Sequence, residues 1–98
     1  SSMDTPVWRA PYAVTITAIS VLCIDGTNIV GQLWEYDANG ANGATVETDD
    51  ITATAGTNST ITSIDNPSID SGDYVGWKTT SVSGAVTKVL VTFDYTLT

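Results

Sequence analysis

The sequence predicts an all-β sandwich, and three observations carry that prediction. First, β-branched residues dominate, with 17 Thr, 10 Val and 8 Ile against 4 Leu and 1 Met. Such side chains lose rotamer freedom in a helix and pack well on a pleated sheet. Second, apolar and polar residues alternate with period two in several segments, as a strand with one buried face requires. Third, clusters of Gly, Asn, Asp and Ser interrupt the chain at intervals of about 8–12 residues, the spacing of turns in a sandwich or barrel.

Each element follows from local chemistry. Thr5 to Pro11 carries two prolines around Val7-Trp8-Arg9-Ala10 and reads as an extended leading segment, because proline and the residue before it resist helix. From Tyr12 to Ile24 the residues alternate, with Tyr12, Val14, Ile16 and Ala18 on one face. The phase then flips, and Ile19, Val21 and Cys23 continue on the other parity. A one-residue slip inside a strand means a bulge or a crossing between sheets. Asp25-Gly26-Thr27-Asn28 is a hairpin signal suited to a tight primed turn. The next strand, Ile29 to Tyr36, sets Trp34 and Tyr36 on one face and Leu33 on the other.

Asp37-Ala38-Asn39-Gly40-Ala41-Asn42-Gly43 is a loop of turn formers. Short strands are expected near Thr45–Thr48, Ile51–Ala55 and Thr60–Ile64. Asp65-Asn66-Pro67 and Asp70-Ser71-Gly72 lead to a strand over Tyr74–Thr79, and a turn at Ser81–Gly84 precedes a last long strand. In that strand Thr87, Val89, Val91, Phe93, Tyr95 and Leu97 alternate with Val86, Lys88, Leu90, Thr92, Asp94 and Thr96. The total is about eight strands and no helix. A jelly roll is favoured, and an immunoglobulin-like sandwich is also compatible with the pattern.

The 98 residues leave room for one core. Ser1 and Ser2 before Met3 read as a tag remnant, so residues 3–98 are expected to form the single domain, made in a cytoplasm. No signal peptide and no apolar run of membrane-spanning length is visible. A chain this short buries only roughly 60–65% of its unfolded surface, so packing against further subunits would stabilise it.

Charge and residue types exclude whole classes of function. Three basic residues stand against eleven acidic ones, a net charge of −8. Such a surface repels nucleic acid and anionic membranes. There is no His, which removes Ser-His-Asp and Cys-His catalysis together with the usual zinc and copper sites. Cys23 is the single cysteine, in an apolar run, and reads as a buried, inert thiol. Glu35 with Asp37 or Asp94 is a formal carboxylate pair for glycoside hydrolysis, but nothing in the pattern sets their separation. No catalytic residue and no cofactor is therefore expected.

Two sets of residues have the right chemistry for binding. Asp37, Asn39 and Asn42 faintly resemble a calcium loop, although the position that should close it acidically is Thr48. Asp49-Asp50 and Asp70-Ser71-Gly72-Asp73 are further oxygen-rich turns, and capping of the turns explains all of them equally well. Trp8, Trp34, Tyr36 and Trp77 are the ligand or interface candidates. They read first as core and subunit interface, and second as a stacking platform for sugars. Tyr74 and Trp77 have opposite parity and should face opposite sides of a regular strand.

Gly72-Asp73-Tyr74-Val75-Gly76-Trp77-Lys78-Thr79-Thr80-Ser81-Val82-Ser83-Gly84, followed by Val89-Leu90-Val91-Thr92-Phe93-Asp94-Tyr95-Thr96, resembles the C-terminal half of small bacteriophage structural domains. Val7-Trp8-Arg9-Ala10-Pro11, Thr15-Ile16-Thr17 and Asp25-Gly26-Thr27-Asn28 are similar to the same group. A looser likeness is to trimeric jelly rolls of the tumour necrosis factor-like shape that end fibre chains. The resemblance implies a non-enzymatic virion module of a fibre or capsid decoration, assembled as a homotrimer and in contact with other virion proteins. The alternative is a carbohydrate-binding module at a receptor-binding tip, with a host surface glycan as partner. A secreted immunoglobulin-like adhesion module is disfavoured by the missing export signal and cysteine pair.

Overall fold

The computed structural model describes residues 3–98. The tag-remnant reading of Ser1 and Ser2 lies outside the described residues. Among the described residues nine strands run in the order β1 (Met3–Arg9), β2 (Val14–Ile24), β3 (Asn28–Tyr36), β4 (Ala44–Thr45), β5 (Ile51–Thr54), β6 (Ser59–Ile61), β7 (Ser68–Ile69), β8 (Tyr74–Ser83) and β9 (Lys88–Leu97). They form two antiparallel sheets packed face to face, the sandwich that the sequence predicts. One sheet runs β1-β8-β3, with β4 and β5 sharing the far edge of β3. In the other, β2 is flanked along its whole length by β9, and on its other side by β6 and β7 in turn.

The architecture is a long two-stranded ribbon folded in half. β2 pairs with β9 from Val14↔Leu97 to Ile24↔Lys88, and β3 pairs with β8 from Asn28↔Ser83 to Tyr36↔Tyr74. The register on the two sides of the corner agrees to within one residue. Asp25-Gly26 does adopt a primed-type turn, with φ of 63° and 74°. The hairpin expected there does not form, however, because β2 and β3 lie in different sheets. The turn is instead a corner that carries the chain from sheet to sheet, and the β8–β9 link turns beside it. Thr27 N–H donates to the Ser83 carbonyl (2.8 Å), Thr87 N–H to that of Ile24 (3.0 Å), and the Thr87 hydroxyl to the Asp25 carboxylate (2.8 Å). Gly26 and Gly84 both hold positive φ, and a Cβ on either would lie 2.7–2.8 Å from atoms of the opposite turn.

The core forms where the alternating residues of both sheets meet. In β2, Val14 and Ile16 are buried, and then Ile19, Val21 and Cys23. The register with β9 shifts between Ile16 and Ala18, so the phase flip in the sequence is a bulge at Thr17. Ile29 and Leu33 of β3, Ile51 and Ala53 of β5, Ile69 of β7 and Val75 and Trp77 of β8 complete the interior. Trp77 is 2% exposed, and its indole N–H donates to the Thr79 hydroxyl at 2.8 Å. Its ring lies on Gly31 of the neighbouring strand, where a Cβ would sit 2.4 Å from it. A glycine inside a strand here makes room for an indole. Cys23 is buried with a free thiol.

Some elements differ from the sequence reading. The proline-bearing segment is a full edge strand, β1, and the two-residue β7 has no pattern of its own. The strand near Tyr74 extends to Ser83, because Asn28–Val30 gives it a partner beyond Thr79.

A first prediction follows from the Trp77 contact. Gly31→Ala should destabilise the fold by about 1–3 kcal/mol through forced displacement of the ring. Urea denaturation should show a lower midpoint at unchanged slope, and tryptophan fluorescence should report the displaced indole.

Candidate functional site

Three places bring chemistry-bearing side chains together. The first is the outer face of the β1-β8-β3 sheet. Trp34 and Tyr36 alternate outward from β3, and their rings lie 6.3 Å apart at 17°, stacked and nearly parallel. The Lys78 ammonium, from β8, sits 4.5 Å from the centroid of the Trp34 ring. The Trp34 indole N–H donates to Gln32 Oε1 at 3.2 Å. On the same face Tyr74 is paired with Tyr36 in register, and the Arg9 guanidinium lies 5.9 Å from the Tyr74 ring. Gly43, in the loop after β3, approaches so closely that a Cβ there would be 2.7 Å from the Tyr36 ring. Two cations and a loop thus dress the aromatic set.

That loop contains Asp37, Asn39 and Asn42. Asp37 Oδ1 accepts from the backbone N–H of Asn39 (2.9 Å) and Ala41 (3.0 Å), and Oδ2 accepts from the Asn42 side-chain amide (2.7 Å). These donors hold the Asp37 carboxyl below its ordinary range. The carboxylate organises the loop through N–H groups, which occupy both oxygens that a cation would need.

The second place is an acidic group at the far end of the sandwich from the corner. Glu35 shares the inward parity of Leu33 and Ile29, and at the end of β3 it meets the turn before β8. There Glu35, Asp70 and Asp73 bring carboxylate oxygens within 4.8 Å of one another, and the Asp70 N–H donates to Glu35 Oε2 at 3.4 Å. Burial, and then the neighbouring Asp73, push the Glu35 carboxyl up to about 7. Three carboxylates at this spacing could share a proton or hold a hard cation such as calcium. The sequence pairs Glu35 with Asp37 or Asp94. Its neighbours are instead Asp70 and Asp73, brought close by chain separated by more than thirty residues, while Asp94 stands on β9 in the other sheet. The inward parity of Glu35 was the available signal.

A second acid lies deeper than the half-buried Glu35. Glu47 is 6% exposed and accepts from the Asp65 N–H at 3.1 Å, and burial raises its carboxyl above the usual range. Asp65 in turn accepts from the Thr48 hydroxyl and from the Thr48 N–H (3.3 Å). With Asn66 bound to Thr45 and Val46, this network ties the chain after β4 to the chain before β7. Its role is to fasten irregular backbone.

The third place is the open side of the sandwich, where β1 and β9 face each other. Trp8 bridges the two sheets, with its ring 5.3 Å from Phe93 and 5.1 Å from Tyr95. Beyond it β9 stays apolar while losing cover: Tyr95 is 45% exposed, Leu97 68% and, on the outer face, Leu90 48%. Of the four aromatic candidates, Trp8 therefore belongs to this side, Trp34 and Tyr36 share the outer face, and Trp77 is in the core. Comparison with protein-family models, curated proteins and solved structures finds no match.

The raised Glu35 carboxyl predicts a pH dependence. A carboxyl with a folded pKa of about 7 against 4.5 unfolded favours the fold fully at low pH, and this contribution is lost as pH rises through that window. Melting temperature should fall between about pH 5 and pH 8. Glu35→Gln should flatten this slope and melt higher than the parent at the upper end, leaving the residual slope to Glu47. An unchanged slope in the variant would assign the effect elsewhere.

Proposed function

We propose that this chain is a non-enzymatic structural module that works by packing against copies of itself and against neighbouring proteins, as a fibre or capsid-decoration domain of a bacteriophage particle. The observation that carries the packing role is β9: ten residues long, paired on one edge by β2 and by no strand on the other among the described residues. It also displays Leu90, Tyr95 and Leu97 to solvent. A long edge with exposed apolar residues is a liability unless something covers it. The bacteriophage setting and a threefold assembly rest on the sequence resemblance. A ribbon folded over on itself is compatible with the jelly roll that the resemblance implies.

Light scattering on the purified chain tests this. A discrete oligomer that melts cooperatively is the expected result, and turnover of any substrate would overturn the non-enzymatic assignment.

A second reading has one specific observation in its favour. The near-parallel, outward Trp34 and Tyr36 rings present aromatic faces of the kind on which a sugar ring stacks. On this reading a glycan array gives a defined hit that Trp34→Ala and Tyr36→Ala abolish without changing the melting temperature by more than about 2–4 °C. Binding that survives both substitutions would exclude the platform.

A further inference from the structure

We propose that β9 pairs antiparallel with β9 of a second copy about a twofold axis through Val91, joining two β2-containing sheets into one continuous sheet. This rests on the packing role proposed above and names its contact. Unpaired strand edges invite another strand, and proteins blunt them with proline, bulges or brevity. The other edges here are blunted. β1 carries Pro6 and a register shift between Pro6 and Trp8. Against β3 and β2 lie only β4, β5, β6 and β7, each of two to four residues. β9 has ten residues and no proline, and the bulge in its pairing takes its extra residue, Thr17, from β2. It is a long edge without such protection.

The sequence of that edge selects the occupant. Lys88 and Asp94 are its only charges, and Val91 lies midway between them. Twofold pairing centred on Val91 sets Lys88 opposite Asp94 of the second copy, twice over. The same register sets Val89 opposite Phe93, and Leu90 opposite Thr92. Opposite charges and aromatic–β-branched pairs are the favourable cross-strand combinations. A centre one residue either way puts Lys88 opposite Thr92 or Thr96 and loses both ion pairs. Lys88, Leu90, Thr92 and Asp94 share the exposed face of β9, so the charges meet in solvent. Val89, Val91 and Phe93, only partly buried in one copy, gain cover from each other. Lys88 is one of only three cations in a chain of net charge −8. Its place on this edge gives the pairing an attractive element against a repulsive background.

Charge reversal on the full chain provides the test, read by light scattering and sedimentation at low salt. The parent should be a dimer, in place of the threefold assembly that the sequence resemblance implies. Lys88→Asp and Asp94→Lys should each weaken it at least about tenfold, since each sets two like-charged pairs face to face. The doubly reversed K88D/D94K should dimerise again. Both side chains are exposed, so circular dichroism should show all variants folded. Val91→Cys should form an intermolecular disulfide across the axis on oxidation. Single reversals that dimerise like the parent, or a double reversal that stays apart, would overturn the pairing. A trimer would overturn it too, while leaving the packing role standing. A monomer at about 1 mM would remove both.

Discussion

Everything in this molecule hangs from the corner where two chain segments turn together. Asp25-Gly26 and Gly84-Ala85 cross at a spacing that leaves no room for a Cβ on either glycine. Backbone bonds from Thr27 to Ser83 and from Thr87 to Ile24 lock the crossing. Once it is set, the ribbon has two arms, and each arm seeds one sheet. β1 adds beyond β8, the short strands fill in beside β3 and β2, and among the described residues β9 is left with β2 as its single strand partner. The exposed edge is therefore a consequence of the folded ribbon, as is the meeting of Glu35 with Asp70 and Asp73 at the opposite end. A change at the corner would unfasten both sheets at once, whereas one in β4 or β7 would affect only a margin.

What could be read from sequence was whatever has a short period. The bulge at Thr17 was legible because a slip of one residue reverses which side chains face the core, and Ile16 followed by Ile19 records it directly. The Asp25-Gly26 conformation was legible for a similar reason, since few residues accept positive φ. What that turn connects was not. A primed turn fits a hairpin, but whether the flanking strands pair with each other or with β9 and β8 depends on residues some sixty positions away. The Glu35 group was missed on the same grounds, because Asp70 and Asp73 looked like turn formers, which they also are. β1 was legible as an extended segment but not as a paired strand, because Pro6 argues against a central strand and says little about an edge.

The aromatic residues divide by what already touches them. Trp77 is committed to the core and Trp8 to the junction of the sheets. Of the four candidates only Trp34 and Tyr36 retain an outward aspect, and there Lys78 already sits over the indole. Such a contact is worth about 0.5–1 kcal/mol at an exposed site, and a sugar stacking on that face of the indole would first have to displace it. Any glycan affinity of this face would accordingly be modest, unless Lys78 or Arg9 also bound the ligand. β9 carries no comparable internal competitor, because its unmet groups are backbone N–H and C=O, which another strand satisfies.

The strong negative charge bears on the same point. Acidic surfaces repel over a distance of about 8–10 Å in ordinary salt, so two copies meeting at random orientation are pushed apart. Strand pairing acts at contact distance and gains hydrogen bonds only where the registers match. A net charge of −8 thus penalises every approach alike, while the Lys88–Asp94 arrangement exempts one. The repulsion that keeps the chain from associating indiscriminately is also what makes a registered edge contact selective. For this reason the single cation on β9 matters more than its count suggests. In a neutral protein the same lysine would be one weak surface charge among many; here it marks the approach at which attraction can overcome the field of the whole domain.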